Sequence, residues 1–457
     1  MKKLIIIFSL IFLSLPAFAT FESEVMQQLW DVPTKEVRSE IIKSYKRGPI
    51  QVNEIYYFSR SYKRQPVKIF GYYSYPVNHK GKLPAILLSH GGGGSASLPR
   101  CLAWSKLGYA VLAIDLPGKG ENRGRSRSTG PDMIVKNLLK TQPDPSYNYL
   151  IHAVAAARNG ITFLATRKEV DPDRIGMIGL SWGGVLTLLT NGQDNRLKAA
   201  VNVFGAGHIP EGCTWDDWFK SMPAVDKNIW QNNLDPKNFL ATQHAPIYFV
   251  SGTNDHCYYL TTFQKSYQEV TADKNYYLVP NLRHKFLDSL SVPALAWLKS
   301  KLKTGGSFPG ITVMPITQEA DNIVVNARSN GNKVTLYYSV GGPSGLTTNR
   351  WKSLQPKRTG LYYSFTIPTK LIKPEVMYYV SANNKDGAAT SSQVQTIFSV
   401  KLKDGTKTYA QSSPIKKLYQ HEPPFTFVNG YVSSTIRFLF AKQEQVYKAY
   451  NYDSIAN

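Results

Sequence analysis

One stretch limits what this chain can fold into more than any other: Arg174 to Gly184, with the sequence RIGMIGLSWGG. It begins as an apolar strand, breaks at a Gly-x-Ser-x-Gly turn and continues as a helical pattern. That spacing is typical of a sharp turn that lifts a serine above a strand end, because side chains two residues on either side of it would collide. We therefore predict that Ser181 is exposed at a helix N-terminus, where backbone N–H groups stabilise developing negative charge.

A glycine-rich loop follows another strand pattern. Pro84 to Ser89 is a continuous apolar run, which is typical of a strand in the middle of a sheet covered on both faces. It leads directly into the sequence HGGGG. Glycines let backbone N–H groups turn toward a single point, as an oxyanion site requires, whereas the alternative is a flexible surface loop. We predict that the N–H groups of Trp182 and Gly92 form this oxyanion site.

Two further polar residues each follow a predicted strand. Asp255 comes shortly after the strand at 246–251, and His284 after the strand at 276–279. A carboxylate just past a strand end can be aimed at a histidine. Each residue alone has an ordinary explanation as a helix cap, a turn residue or a loop residue. Together, the order Ser181, Asp255, His284 predicts a nucleophile, acid and histidine triad.

Three other titratable residues compete for these roles. We expect His90 to shape the glycine loop, His256 to be merely adjacent to the acid, and Asp115 to come too early in the chain. No cysteine and histidine spacing indicates a metal site, and the predicted chemistry needs neither a metal nor an organic cofactor.

Two segments are candidates for substrate binding. The loop 117–128 contains Arg123, Arg125 and Arg127, which could bind a carboxylate or sulfate, or could pair structurally with Glu121 or Asp132. The irregular excursion 210–244 contains Trp215, Trp218 and Trp230. These aromatic side chains could stack on a sugar or acyl group as part of a cap, or could simply pack beneath one.

The sequence resembles an α/β-hydrolase, and in particular the dienelactone-hydrolase and acetylxylan-esterase group, which overlaps with prolyl-oligopeptidase-like catalytic domains. The resemblance covers residues 67–301 and is carried by PAILLSHGGGG, AIDLPGKGENRGRS, EVDPDRIGMIGLSWGG, APIYFVSGTNDH and LVPNLRH. It implies an eight-stranded, mostly parallel sheet, with Ser181 as nucleophile, His284 as base and Asp255 as its orienting acid. Dienelactone hydrolases proper have a cysteine at the position of Ser181.

The remaining segments complete the predicted organisation. Residues 20–48 have a mostly helical pattern. After Thr304 short alternating strands predict a β-sandwich, and YYVSANNKDGAATSS is similar to the late strands of a fibronectin type III or immunoglobulin-like module. We therefore divide the chain into a signal peptide at 1–19, a hydrolase domain at 20–305, a sandwich at 306–400 and a tail at 401–457 with no predicted structure.

Residues 1–19 combine two lysines, a short apolar run and small residues before Thr20, which is typical of a secretory signal. We expect an exported protein, periplasmic or secreted by a bacterium, and no later segment is long enough to span a membrane. The three cysteines allow one disulfide at most. Cys213 and Cys257 are the candidate pair, with buried free thiols as the alternative.

The formal net charge is +23. Such a balance favours attraction to an anionic surface or polysaccharide, although basic residues spread over a solvated surface would produce the same count. No nucleic-acid-binding motif is present. The function predicted is a secreted serine hydrolase of acetyl or short-acyl esters, with carbohydrate esters as the first substrate class. The alternatives are a peptidase or amidase with the same triad, and a glycan- or envelope-binding protein on a hydrolase-like scaffold.

Overall fold

The computed structural model describes residues 28–119, 126–341, 346–402 and 405–412, and all of them fall in one compact unit. The predicted signal peptide, the candidate ligands Arg123 and Arg125, and residues 413–457 of the tail lie outside the described residues. The export, substrate-binding and tail assignments that depend on them therefore stay predictions.

Within the described residues, nine strands form one mixed sheet in the order β1-β2-β3-β5-β4-β6-β7-β8-β9. The first three strands are antiparallel, and β3 pairs antiparallel with β5. All pairs from β5 to β9 are parallel. The bounds are β1 Ser39–Arg47, β2 Ile50–Tyr62, β3 Gln65–Pro76, β4 Leu83–Ser89, β5 Ala110–Ile114, β6 Val170–Leu180, β7 Leu197–Val203, β8 Ile247–Gly252 and β9 Lys274–Val279.

The strand β1 corrects two predictions: it makes nine strands in the sheet where eight were expected, and it lies in the segment 20–48 that was expected to be mostly helical. Ser39–Arg47 is a strand, and it pairs with β2 from Ser39 opposite Tyr57 to Arg47 opposite Ile50. Nearly all of its side chains are exposed. Its backbone conformation is therefore set by hydrogen bonds to β2, and a pattern of apolar residues could not reveal it.

Helices cover both faces of this sheet. The helices α3, α4 and α7 share a buried core with one face, and α1 and α8 share a core with the other. Successive residues of β4 alternate between the two cores, with Leu87 in the first and Ile86 in the second. Burial on both faces confirms the prediction that this continuous apolar run is a strand in the middle of the sheet. The bounds are α1 Leu98–Lys106, α2 Val135–Leu138, α3 Tyr149–Ala165, α4 Trp182–Asn191, α5 Asp216–Ser221, α6 Ala224–Asn233, α7 Leu260–Glu269 and α8 Ser291–Leu302.

The excursion expected to be irregular, residues 210–244, contains the short helices α5 and α6 and a 3-10 turn at Pro236–Phe239. Trp230 of α6 is fully buried, and its indole N–H donates to the carbonyl of Leu138 at 2.9 Å. This tryptophan therefore belongs to the core, as the packing alternative foresaw.

Antiparallel sheets follow the last helix, in agreement with the predicted β-sandwich. The described strands form a five-stranded sheet, with β10-β12-β16-β15 in order and β11 beside β12, and a six-stranded sheet, with β14-β13-β17-β19-β20 in order and β18 beside β17. A shared apolar core includes Val325, Phe365 and Tyr378. The bounds are β10 Ile311–Val313, β11 Thr317–Glu319, β12 Asn322–Ser329, β13 Lys333–Val340, β14 Lys352–Leu354, β15 Lys357–Thr359, β16 Tyr362–Pro368, β17 Glu375–Asn383, β18 Ala389–Ser391, β19 Gln395–Lys401 and β20 Lys407–Ser412.

The sandwich covers the open edge of the large sheet at β9. The hydroxyl of Ser391 accepts the N–H of Leu278 at 3.1 Å, and the Asn275 amide donates to the Thr390 hydroxyl at 2.9 Å. Unpaired groups on a strand edge invite pairing with other chains. The β18 segment thus satisfies an edge that would otherwise be open to such pairing.

Candidate active site

Ser181 occupies a strained turn between β6 and α4. Its backbone has φ 58° and ψ −118°, a left-handed conformation that side chains rarely adopt. A Cβ on Gly179 would lie 1.8 Å from the carbonyl oxygen of Gly183, and a Cβ on Gly183 would lie 2.4 Å from the carbonyl oxygen of Ser89. The glycine requirement inferred from the Gly-x-Ser-x-Gly spacing is therefore met by direct backbone packing.

His284 joins Ser181 to Asp255. Its Nε2 lies 2.8 Å from Ser181 Oγ, and its Nδ1 lies 2.9 Å from Asp255 Oδ2 and 3.0 Å from Oδ1. The serine and the histidine are 103 positions apart in the sequence. Since parallel strands end at the same edge of the sheet, β6, β8 and β9 bring the three side chains to one rim.

Asp255 is held in place by its own loop. The residue is 1% exposed, and its Oδ1 accepts the backbone N–H groups of Cys257 at 2.8 Å and Tyr258 at 3.1 Å. These bonds leave both carboxylate oxygens directed at the imidazole. A buried, fixed carboxylate of this kind can orient a histidine and stabilise the imidazolium that forms when it accepts a proton.

The glycine loop lies directly against the serine turn. A Cβ on Gly91 would be 2.9 Å from the Cβ of Ser181, and a Cβ on Gly92 would be 3.2 Å from Cδ1 of Trp182. Trp182 is the first residue of α4, so its N–H is one of those that a helix leaves without an internal acceptor. The two predicted oxyanion donors, Gly92 and Trp182, therefore belong to segments that touch beside the serine.

His90 shapes this loop. Its Nε2 accepts the backbone N–H of Leu116 at 2.9 Å, so the ring proton is on Nδ1, which donates to the carbonyl of Gly91 at 2.7 Å. Burial lowers the pKa of His90. The neutral ring thus ties the first glycine of the loop to the end of β5.

The other two competing residues also have contacts of their own. Asp115 accepts the N–H of Ala96 at 2.5 Å and that of Arg127 at 2.7 Å, so it holds two rim loops together. His256 has no hydrogen-bond partner for its Nδ1, and burial lowers its pKa to about 4. Neither residue contacts Ser181 through a hydrogen bond among those of the described residues.

Aromatic rings surround the serine and histidine. Trp215 packs 4.9 Å from the Trp182 ring and 5.5 Å from the ring of Tyr258. Sequence reasoning missed Tyr258 and Phe204, whose rings lie 5.9 and 4.9 Å from the His284 ring. Phe204 directly follows β7, and its place at the carboxyl end of a parallel strand is the signal that could have identified it.

The remaining substrate-binding candidates differ in their surroundings. Trp218 is 44% exposed on α5. Arg127 pairs with Glu54 at 2.8 Å and lies over the Phe70 ring at 3.4 Å. Its pairing is structural, but with a residue other than the expected Glu121 or Asp132.

The structure resolves the open question about the cysteines. Cys101 and Cys213 are buried free thiols, so the alternative of a Cys213–Cys257 disulfide is not realised.

Cys257 lies beside the serine site. In the described part of the chain, one group has ligand atoms close enough together to hold a metal ion: Asp255, Cys257 and His284, all within 4.8 Å of one another.

The chain is similar to known proteins in its sequence and in its fold. The family model for acetyl xylan esterases (AXE1) matches residues 18–205, and that for PhoPQ-activated pathogenicity-related proteins matches residues 222–343. The chain is 32% identical over 147 residues to YtaP of Bacillus subtilis, whose name describes a hydrolase, covering 29% of this chain and 46% of that one. It is 25% identical over 248 residues to the acetyl esterase Axe7A of Xylanibacter ruminicola, covering 51% and 56%.

The chain thus spans about half the length of these relatives. Among solved structures, acetyl xylan esterase 1 from Thermoanaerobacterium superposes with a TM-score of 0.53 at 18% identity, covering 60% of this chain and 92% of that one. The protein has the α/β-hydrolase fold with a C-terminal pair of antiparallel sheets. The predicted similarity to the acetylxylan-esterase group is confirmed. None of the helices in the described residues has the length and apolar character needed to cross a membrane.

Proposed function

We propose that this protein is an exported serine ester hydrolase that removes acetyl or other short acyl groups from carbohydrate. The observation that carries the proposal is a pair of hydrogen bonds made by His284: its Nε2 accepts the Ser181 hydroxyl at 2.8 Å, and its Nδ1–H donates to Asp255 at 2.9 Å. A serine is a weak nucleophile unless a positioned base takes its proton, and this geometry supplies one. The acetyl xylan esterase match and the acetyl esterase relative support the ester as the bond that is cleaved.

In the first half of the reaction, Ser181 Oγ attacks the ester carbonyl carbon while His284 Nε2 takes the hydroxyl proton. The carbonyl π electrons move to the oxygen, where the N–H groups of Trp182 and Gly92 stabilise the charge. When the tetrahedral intermediate collapses, the bond to the leaving alcohol breaks and His284 returns the proton to that oxygen. Asp255 stabilises the transient imidazolium throughout. The product of this half is an acyl-serine and a free alcohol.

Water completes the cycle by the same route. His284 takes a proton from the water as its oxygen attacks the acyl carbon. Collapse of the second tetrahedral intermediate releases the carboxylic acid and restores the Ser181 hydroxyl with the proton held by His284. Every proton passes through one ring nitrogen, which already lies in hydrogen-bond contact with the serine.

Covalent labelling tests the nucleophile directly. A fluorophosphonate probe followed by peptide mapping should modify Ser181 in the wild-type protein and nothing in Ser181→Ala. The same Ser181→Ala variant should lose all turnover of 4-nitrophenyl acetate. Esterase activity close to that of wild type in Ser181→Ala would reject the proposal. Parallel assays with acyl esters and peptides separate an esterase from a peptidase with the same residues.

Trp215 is the residue through which carbohydrate specificity can be tested. It lies in contact with Trp182, next to the nucleophile, whereas Trp218 is half-exposed on the adjacent helix. If a sugar ring stacks on Trp215, Trp215→Ala should raise KM about tenfold for acetylated xylo-oligosaccharide relative to 4-nitrophenyl acetate. Trp218→Ala is the matched control, and equal effects on both substrates in both variants would argue against a sugar-stacking role.

A further inference from the structure

We propose that the C-terminal sandwich is a positioning element for the active site, acting on the Asp255 and His284 loops mainly through Asn281 and Trp351. The inference rests on the proposed function, because it concerns how those two residues are held. It also changes the role of the sandwich, which by sequence alone could equally be an independent binding module.

Hydrogen bonds join the loop that carries Asp255 to the loop that carries His284, and these bonds involve the residues that precede the two triad members in the sequence. The backbone N–H of Thr253 donates to the carbonyl of Val279, and that of Asn254 donates to the carbonyl of Leu282, both at 3.0 Å. The Thr253 hydroxyl in turn accepts the N–H of Asn281 at 2.8 Å. A displacement of one loop is therefore transmitted to the other.

The sandwich bonds to this joined pair at two points. Asn281 donates its amide to the carbonyl of Trp351 at 2.9 Å and accepts the Trp351 N–H at 2.8 Å. Asn254 donates its amide to the carbonyl of Asn349 at 2.7 Å. Each bonded asparagine thus stands within three positions of a triad residue, and each partner belongs to the segment that leads into β14 of the sandwich.

Asn281 is well suited to fix the direction of the chain. Its φ is 60°, in the left-handed region where asparagine is tolerated, and its two side-chain bonds leave the residue little freedom to rotate. Between the end of β9 at Val279 and the 3-10 turn at Asp288–Leu290 there is no regular element to hold His284. The contact with Trp351 therefore supplies part of the constraint that a helix or strand would supply elsewhere.

The sandwich side of this contact is rigid. Trp351 is 5% exposed and packs edge-on against Tyr379 of β17 at 5.2 Å. Both rings belong to the same apolar cluster as α3 and α4 of the large domain. A catalytic group displaced by about 1 Å can lose on the order of a hundredfold in rate, so a rigid support has a measurable effect on catalysis.

The chain offers a matched control elsewhere in the same interface. Gln264 of α7 makes the same pair of bonds with Val394, accepting its N–H at 2.9 Å and donating to its carbonyl at 3.1 Å. Gln264 is buried, as is Trp351 in the other contact. It lies on a helix, however, and not on a loop that carries a triad residue. Removing either amide should weaken the interface, whereas only Asn281 should affect the chemistry.

The experiment compares full-length Asn281→Gly and Gln264→Ala with the wild type. Glycine keeps the left-handed backbone at 281 and removes both side-chain bonds. For each protein we would measure the rate of fluorophosphonate labelling at Ser181, kcat and KM for 4-nitrophenyl acetate, and Tm. Asn281→Gly should lower the labelling rate and kcat at least tenfold with KM within about threefold, and Gln264→Ala should keep kcat within about twofold at a similar or larger loss of Tm.

If Asn281→Gly does not fold, Asn254→Ala removes the bond to Asn349 together with the bond that the Thr253 hydroxyl donates to Asn254 at 2.7 Å, and it should lower kcat several-fold in the same direction. Wild-type labelling and turnover in the folded loop variants, or equal losses of kcat in Gln264→Ala, would overturn the positioning role while leaving the proposed esterase intact. A wild-type protein that the probe does not label at Ser181 would instead reject the proposed function, and the inference with it.

Discussion

Gly252, at the end of β8, lies directly against the backbone of Leu282: a Cβ at position 252 would be 2.0 Å from the Leu282 carbonyl oxygen. The first residue is three positions before Asp255 and the second is two before His284. The acid and histidine loops approach each other this closely because one of them carries no side chain at the crossing point.

Gly252→Ala should therefore separate the two loops. We expect kcat for 4-nitrophenyl acetate to fall about a hundredfold and the protein to lose about 1–3 kcal/mol of unfolding free energy from overpacking. Steady-state kinetics and urea unfolding would measure both effects. Gly305→Ala is the control, since a Cβ there meets no atom within 4 Å. Normal activity in Gly252→Ala would contradict the idea that the close approach is required.

The left-handed backbone of Ser181 makes a prediction about stability. A non-glycine residue at φ 58° and ψ −118° costs about 1–3 kcal/mol, and glycine adopts that conformation without strain. Both Ser181→Gly and Ser181→Ala should be inactive. The glycine variant should be more stable than the alanine variant by about 1 kcal/mol in urea unfolding. Equal stability of the two variants would mean that the serine turn stores no strain.

Asp255→Asn tests the orienting carboxylate. An asparagine keeps the shape of the side chain but cannot stabilise an imidazolium at His284, so kcat should fall by about three to four orders of magnitude. The control is His256→Gln, because the neighbouring histidine has an unbonded Nδ1 and a pKa lowered by burial to about 4. The control should retain kcat within about threefold. A comparable loss in His256→Gln would point to an additional role for that ring.

A second histidine predicts how stability depends on pH. The buried ring of His208 faces a carboxylate at each nitrogen, Glu211 at 2.9 Å from Nδ1 and Glu269 at 2.7 Å from Nε2. Lys265 also pairs with Glu211, and Asp235 accepts the His208 backbone N–H. Burial lowers the pKa of His208, but the two carboxylates outweigh it and the pKa is raised overall.

Because the folded-state pKa of His208 is raised, its stabilisation is complete below the unfolded value of about 6.5 and is lost as the pH rises through the folded-state pKa. The wild type should therefore exceed His208→Asn in unfolding free energy by about 1–2 kcal/mol at pH 5.5. That difference should shrink as the pH rises toward 9. Asparagine is chosen as the replacement because the backbone φ at position 208 is 53°, in the left-handed region that asparagine tolerates. A difference that grows with pH would have the wrong sign for this network.

The thiol beside the active site predicts sensitivity to soft metal ions. Asp255, Cys257 and His284 present a carboxylate, a thiol and an imidazole within 4.8 Å of one another, a set that suits Cd²⁺. Cd²⁺ should inhibit esterase activity reversibly, and EDTA should restore it. Cys257→Ser should raise the inhibitory concentration at least tenfold, whereas Cys101→Ser should not change it. Equal sensitivity of Cys257→Ser and wild type would rule out metal binding through this thiol.

Much of the large domain could be predicted from local patterns. The strands β4 and β5 read as continuous apolar runs because both of their faces are buried, and the structure confirms their central position. The strand β1 could not be predicted in this way. Its side chains face solvent, so its conformation depends on hydrogen bonds to β2 that leave no apolar period in the sequence.

For the site itself, the sequence alone determined the residue types and their order. These are a serine flanked by two positions that have no room for a side chain and are therefore glycine, and an acid and a histidine that each follow a strand. Those features follow from sterics within a few residues of chain and from the rule that parallel strands end at one rim. Only the tertiary structure decided that Nε2 of His284 lies 2.8 Å from Ser181 Oγ and that Trp351 bonds the loop leading to His284. Such contacts join residues 70 or more positions apart, and their distances are set by the packing of whole sheets and helices.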